Sequence, residues 1–333
     1  MQTQLLTASP SIIWQNRPAQ HRRAVYFCTD ERYLPYTLFL AQQIANAHPN
    51  RDFDLCIVSA SGVAPHPLLD AINIRAVHVD VSTLERHANI GARIGFATYL
   101  RVFLPELWAQ DYDRLLYLDG DIFYQRGDIA ALLGADLHGA PLGAVLDTKH
   151  WHKPRRPARD IAALGLPHAP YFNGGVLLID VAAFNGLRIG ARIVDLIILR
   201  GQDLAWHDQT ALNAIVAGQW AHLPVQWNFQ YSHKTMLLSA HFDVCLFHFI
   251  GRRKPFYARY GGFPRRFTAP YRAFLAQHFP HLAAQVPDGT GGPKRWAALA
   301  LIFLFNLSMA RGALRMEQAA HGDFDISPPA PNP

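Results

Sequence analysis

The stretch Arg114-Leu-Leu-Tyr-Leu-Asp-Gly-Asp-Ile-Phe123 runs from a strand straight into two carboxylates. Leu115, Leu116, Tyr117 and Leu118 form a short uninterrupted apolar run, the pattern of a strand covered on both faces in a parallel sheet. Asp119 and Asp121 stand where that strand ends. In open α/β sheets ligands collect at the carboxyl ends of the strands, so two hard oxygen donors one residue apart are placed to share a divalent cation. Gly120 between them lets the chain turn and leaves room for a ligand. An Asp-x-Asp pair alone is more often an ordinary turn, so the surrounding chain decides.

Working outward, strand-like and helix-like segments alternate. Arg23-Ala-Val-Tyr-Phe-Cys28, Phe53 to Val58 and Ile74 to Val79 read as strands, with helical character over Tyr36 to Ala47 and Leu68 to Ile72. A helix over Ala97 to Leu107, strands over Gly143 to Leu146 and Tyr171 to Asp180, helices over Ile189 to Leu199 and Asp208 to Ala217, and a last core strand over Leu246 to Ile250 follow. This alternation predicts an α/β fold, a doubly wound and mostly parallel sheet. Residues 1–22 read as a lead-in, and the polar, basic stretch Lys149 to Arg159 as a mobile loop.

With 333 residues, 50% hydrophobic and 17% charged, the chain can bury a large core. Its net charge of +6, with 17 histidines, favours an anionic partner. The basic residues form short separate groups and no long stripe, which argues against nucleic acid. Cys28, Cys56 and Cys245 lie in apolar runs and read as buried small hydrophobes in a reducing compartment, not as a disulfide framework. Met1 to Gln20 lacks the apolar core of a secretory signal. Thr29 to Pro35, after the first strand, contains no glycine; a dinucleotide-binding turn or the triphosphate loop of a nucleotidyltransferase would need one there.

Residues 266–320 change character to a basic and aromatic helical segment, and 321–333 read as a disordered tail. Asp288 to Pro293 is a linker, and Lys294 to Arg311 is an apolar segment with basic flanks. Its uncharged core falls short of the ~20 residues that span a bilayer, so it is expected to lie on an anionic membrane surface, with docking against the core as the rival reading.

A cation at Asp119 and Asp121 wants a third protein ligand. His248 is the best candidate, since it precedes Gly251, which allows close backbone approach, and Lys254, which brings positive charge to the same strand end. Asp147 is the next. Metal with lysine is a usual way to hold a diphosphate and neutralise it as it leaves.

The motifs Phe27-Cys-Thr-Asp-Glu-Arg-Tyr-Leu-Pro35, Tyr99-Leu-Arg101, Leu116-Tyr-Leu-Asp-Gly-Asp121, Tyr171-Phe-Asn-Gly-Gly-Val-Leu-Leu-Ile179, Asp208-Gln-x-x-Leu-Asn213 and His248-Phe-Ile-Gly-x-x-Lys-Pro-Phe256 follow one another in order. Together, over roughly residues 23–260, they resemble glycosyltransferase family 8, which includes lipopolysaccharide galactosyl- and glucosyltransferases and glycogenin, and they set the domain at 23–265. The resemblance implies a GT-A fold, a UDP-hexose donor carrying galactose or glucose, Mn²⁺ or Mg²⁺, a glycan or glycolipid acceptor, and retention of anomeric configuration. The buried cysteines and the basic-flanked apolar segment predict a cytoplasmic protein, peripheral on the inner face of the membrane. Carried over by position, Asp119, Asp121 and His248 match the metal ligands. Cys28, Thr29, Asp30, Arg32 and Tyr33 match the loop that holds uracil and ribose, and Arg101 a helix arginine facing the donor. Asp147, Asn173 and Gly174 match sugar-contacting strand ends, Asp208 and Gln209 the pair beside the reacting carbon, and Gly251 and Lys254 the diphosphate cradle. Arg32 stands where the family commonly has Asn, and Phe256 where Trp is frequent. Whether Asp208 acts as a nucleophile or attack comes from the leaving-group face stays open, and a catalytically weak sugar-nucleotide binder of the same fold is the alternative.

Overall fold

In the computed structural model the described residues are 10–82, 97–152, 158–200, 204, 207–257, 262–287 and 295–323. Their strands are β1 (Ser11–Gln15), β2 (Arg23–Cys28), β3 (Asp54–Ser59), β4 (Ile74–Asp80), β5 (Arg114–Leu118), β6 (Ile122–Tyr124), β7 (Leu142–Leu146), β8 (Phe172–Asp180), β9 (Ala221–His222), β10 (Phe229–Tyr231) and β11 (Leu246–Phe249). The main sheet has the order β1-β4-β3-β2-β5-β8-β7-β9. Strands β4, β3, β2 and β5 are mutually parallel, β8 is antiparallel to both β5 and β7, and β9 runs with β7. With β1 antiparallel to β4, the sheet is mixed, although all but β1 and β8 share one direction.

The central strands are apolar on both faces because both are covered. Alternate residues of β2 and β5 divide between two cores, Val25, Phe27, Leu116 and Leu118 in one and Ala24, Tyr26, Leu115 and Tyr117 in the other. The first core is closed by the helices Leu34–Ala47 and Arg265–His278, the second by Ala97–Leu107, Ile189–Arg200 and His207–Val216. Burying one such Leu or Phe contributes about 1.5–3 kcal/mol. All three cysteines are free thiols, and Cys56 and Cys245 are buried.

Several expectations need correction. Within the stretch read as a lead-in, Ser11–Gln15 forms β1, an edge strand paired with β4 whose Ile13 and Trp14 stay exposed. Strand β11 is not in the main sheet; it lies between β10 and β6 in a separate three-stranded sheet. The start of the expected mobile loop is the helix Thr148–His152, pinned by buried Trp151, while residues 153–157 lie outside the described ones. The helix Arg265–His278 belongs to the core, since Phe267, Tyr271 and Leu275 are fully buried.

The last helix, Arg295–Asp323, uses one stripe for docking. Asn306, Met309 and Ala313 are buried, and Gly312 packs so closely that a Cβ there would meet the Trp151 carbonyl oxygen at 2.4 Å. Leu301, Phe303, Leu304, Leu307 and Leu314 face outward and exposed. Among the described residues no helix is long and apolar enough to cross a membrane. The expected linker over 288–293, the flanking Lys294 and the terminal residues 324–333 lie outside the described residues.

Candidate active site

At the end of β5 the Asp119 N–H donates to the Gly175 carbonyl of β8 (2.9 Å), which fixes the start of the Asp119-Gly120-Asp121 turn. The chain then forms β6, antiparallel to β11 with Ile122 opposite His248, and this pairing carries the histidine over the two acids. His248 Nε2 lies 3.5 Å from Asp119 Oδ2 and 3.3 Å from Asp121 Oδ1. One ligand atom from each of Asp119, Asp121 and His248 can be chosen so that all lie within 4.8 Å of one another. Asp121 Oδ1 is buried and has no hydrogen-bond partner. A buried, undersatisfied carboxylate oxygen facing an imidazole nitrogen and a second carboxylate fits a hard divalent cation.

Two glycines make the cluster possible, each for a steric reason. A Cβ on Gly175 would fall 2.2 Å from His248 Cε1 and 2.8 Å from Asp119 Oδ2. A Cβ on Gly120 would lie 2.6 Å from the Thr37 hydroxyl, so this glycine is needed for close approach to the helix Leu34–Ala47. Lys254, 6% exposed, directs its ammonium to Asp121 Oδ2 and the Phe249 carbonyl. Burial alone would raise Asp121, but Lys254 and His248 outweigh it and hold the carboxyl well below its ordinary range.

Arg101, from the helix Ala97–Leu107, links Asp119 at the end of β5 to Gly174 of β8 and to Asp208. Its Nη1 donates to the Gly174 carbonyl (2.6 Å) and lies 3.3 Å from Asp119 Oδ1, its Nε pairs with Asp208, and its guanidinium sits 4.6 Å over the Tyr117 ring. Burial works against its charge, and Asp208, Tyr117 and Asp119 more than offset this. Tyr117 Oη donates to Asp119 Oδ1 (2.6 Å). Asp208 is 2% exposed behind the arginine, and burial raises its carboxyl to about 6.

A second polar group adjoins this cluster where the pairing of β7 with β8 shifts register, Ala144 facing Leu177 and Val145 facing Asn173. Gln209 Oε1 accepts from the Gly174 N–H (2.8 Å), and Asp147 Oδ2 lies 3.5 Å from both Asn173 Nδ2 and Gln209 Nε2. Asp147, Asn173 and Gln209 thus lie together, while Asp208, the sequence neighbour of Gln209, pairs with Arg101. Asp160 Oδ2 accepts from Tyr171 and Thr210 (2.7 Å each), a support absent from the sequence reading. Also missed were Gly175, legible as the second half of a quoted Gly-Gly pair, and Asn228, which no motif marks. Asn228 is fully buried between Asn173 and His248.

The loop from Cys28 to Tyr33 borders the same turn. Thr29 is buried with its N–H on the Val58 carbonyl, Asp30 accepts from the Tyr33 N–H (2.9 Å), and Asp30 and Arg32 are exposed at the rim. Burial raises the Cys28 thiol and, with Asp121 adding to it, the Tyr33 phenol. Phe256 is fully buried and stacks on Tyr36 at 3.8 Å. Gly251 has φ 76° with open space around it, so its glycine answers a left-handed backbone conformation.

The model of a known family, Glycosyl transferase family 8, matches residues 24–258. The chain is 30% identical over 217 residues to the glycosyltransferase GlyF of Streptococcus pneumoniae serotype 4, covering 62% of this chain and 49% of that protein. It is 27% identical over 172 residues to the lipopolysaccharide 1,2-glucosyltransferase of Escherichia coli K12, covering 48% and 49% of the two chains. It thus spans about half the length of these two relatives. A solved structure of the galactosyltransferase LgtC with donor and acceptor sugar analogs superposes with a TM-score of 0.58 at 23% identity, over 83% of this chain and 99% of that one, which establishes the likeness of fold.

Proposed function

The chain belongs to glycosyl transferase family 8, and on that premise we propose that it transfers galactose or glucose from a UDP-hexose to a glycan acceptor, with retention of configuration. The observation that carries this reading is the convergence of Asp119, Asp121 and His248 beside Lys254. These three side chains would hold Mn²⁺ or Mg²⁺, which when bound neutralises the diphosphate of departing UDP. Lys254 lies against Asp121 and offers its ammonium to an arriving diphosphate. Asp30 and Tyr33 border the place for uracil and ribose, and Arg32 stands at its rim. Asp147, Asn173 and Gln209 present mixed donors and acceptors, the chemistry that recognises sugar hydroxyls. Asp208 is tied to Arg101, which supports a positioning role for this acid and leaves Gln209 beside the reacting carbon.

The acceptor we propose is a lipopolysaccharide core or another glycolipid. The lipopolysaccharide glucosyltransferase among the relatives supports it, as does the exposed apolar face of the helix Arg295–Asp323 with Arg311, suited to the anionic inner face of the cytoplasmic membrane. A panel of UDP-sugars with Mn²⁺ tests the reading through release of UDP. One UDP-hexose should turn over well above the rest. Saturable UDP binding without turnover of any sugar, with acceptor present, would establish a non-catalytic binder instead.

A further inference from the structure

The two subsites of the active site are joined by one buried side chain, Asn228, at the end of the 3₁₀ turn Val225–Asn228 that leads into β10. The direction of every hydrogen bond in this link follows from one backbone group. The Gly175 N–H can only donate, and its partner is Asn173 Oδ1 (3.1 Å), so that atom is an acceptor. Asn228 meets the same oxygen at 3.0 Å and must offer its amide nitrogen, Nδ2. Its carbonyl, Oδ1, is thereby turned to His248 Nδ1 at 3.0 Å. An oxygen acceptor there requires the proton to sit on Nδ1, which leaves Nε2, the nitrogen facing Asp119 and Asp121, with its lone pair for a cation.

We infer that Asn228 is a positioning residue that fixes the tautomer and the ring orientation of His248 for metal binding. Through Asn173 it links that ligand to the residues read as contacting the sugar. The inference rests on the reading of Asp119, Asp121 and His248 as cation ligands and adds to it the group that prepares the third ligand. Among the described residues Asn228 is the partner at Nδ1, and the carboxylates of Asp119 and Asp121 face Nε2, so Asn228 is the group placed to orient the ring from behind.

The test is the Mn²⁺ dissociation constant, read from the electron paramagnetic resonance signal of free Mn²⁺, with melting temperatures taken without metal. Asn228→Leu removes the acceptor and should raise the dissociation constant roughly 10–100-fold, the usual effect of losing a partner of a ligating histidine. Asn228→Asp keeps an acceptor for the Nδ1 proton and should bind Mn²⁺ nearly as tightly as wild type, even though a buried carboxylate makes it melt earlier. A purely structural role predicts the reverse order, with the Asp variant the weaker binder, and that result would overturn the inference. So would wild-type affinity in Asn228→Leu. A ¹⁵N-histidine spectrum of the Mg²⁺-loaded wild type supplies a reading independent of any variant: a slowly exchanging ring N–H, absent in His248→Asn, is expected on Nδ1, and its absence from wild type would equally overturn the inference. If wild type shows no saturable Mn²⁺ binding that Asp119→Asn removes, the cation reading itself fails, a result distinct from the others.

Discussion

His248 sits between Phe247 and Phe249 in a fully buried strand, a setting in which a histidine is ordinarily packing. Its nearness to Asp119 and Asp121 is what supports the proposal that it is a ligand. His248→Asn is therefore expected to raise the Mn²⁺ concentration for half-maximal UDP release roughly 10–100-fold, with little change in melting temperature without metal. Gly175→Ala should remove metal binding more completely, because its methyl carbon would occupy the space of the imidazole, 2.2 Å from Cε1; equilibrium dialysis with Mn²⁺ checks this. Asp208 gives a pH signature. Burial raises it from an ordinary 3.8 to about 6, so between those values the folded protein keeps a proton that the unfolded chain has released. Stability from this group consequently falls as pH rises through that window. Asp208→Asn has no such proton, and the melting temperature of wild type relative to the variant should decline between about pH 4 and about pH 6. At this scale Asp119 and Asp147 were legible as candidates because each follows directly on an apolar strand, and Gln209 because it opens a helix. Asn228 was not, since its role comes from two residues far away in sequence, Asn173 and His248.

Among the elements, those that announce themselves by a run of apolar residues were found with small shifts at their ends. The strand β5 and the helix Ala97–Leu107 are where the sequence put them. The short strands β6, β9 and β10 have three residues or fewer and carry no period. β11 reads as a core strand from its composition, and only its pairing with β6 and β10 shows it to be part of the smaller sheet that delivers His248. The helix Arg295–Asp323 docks on the core along one face and leaves an apolar face exposed, on which the membrane proposal rests. Asn306 bridges the His233 carbonyl and the Leu237 N–H (3.0 and 2.9 Å) on the docked face, while Leu301, Phe303, Leu304 and Leu307 point outward. Gly312→Leu should lower the melting temperature by the equivalent of about 1–3 kcal/mol through overpacking on Trp151. Replacing Leu301, Phe303, Leu304 and Leu307 together by Ser should leave melting nearly unchanged and weaken binding to anionic vesicles in sedimentation. Equal vesicle binding by that variant would remove the interfacial role.

In the membrane association proposed for the whole molecule, the net charge of +6 and the outward apolar face of the last helix would act together. Vesicle binding should therefore strengthen with anionic lipid and fade as salt rises. The same architecture gathers Asp119, Asp121, Asp147 and Asp208 at one end of the sheet, against the cations of Arg101 and Lys254. Such a cluster is suited to a divalent cation and a diphosphate arriving together. If turnover of a UDP-hexose needs a cation held by this cluster, Mn²⁺-dependent UDP release should distinguish wild type from Asp121→Asn, both with native melting behaviour. Wild type should release UDP with Mn²⁺ and not with chelator, and Asp121→Asn should lose most of that activity at any Mn²⁺ concentration. Undiminished, Mn²⁺-requiring release of UDP by Asp121→Asn would contradict the account.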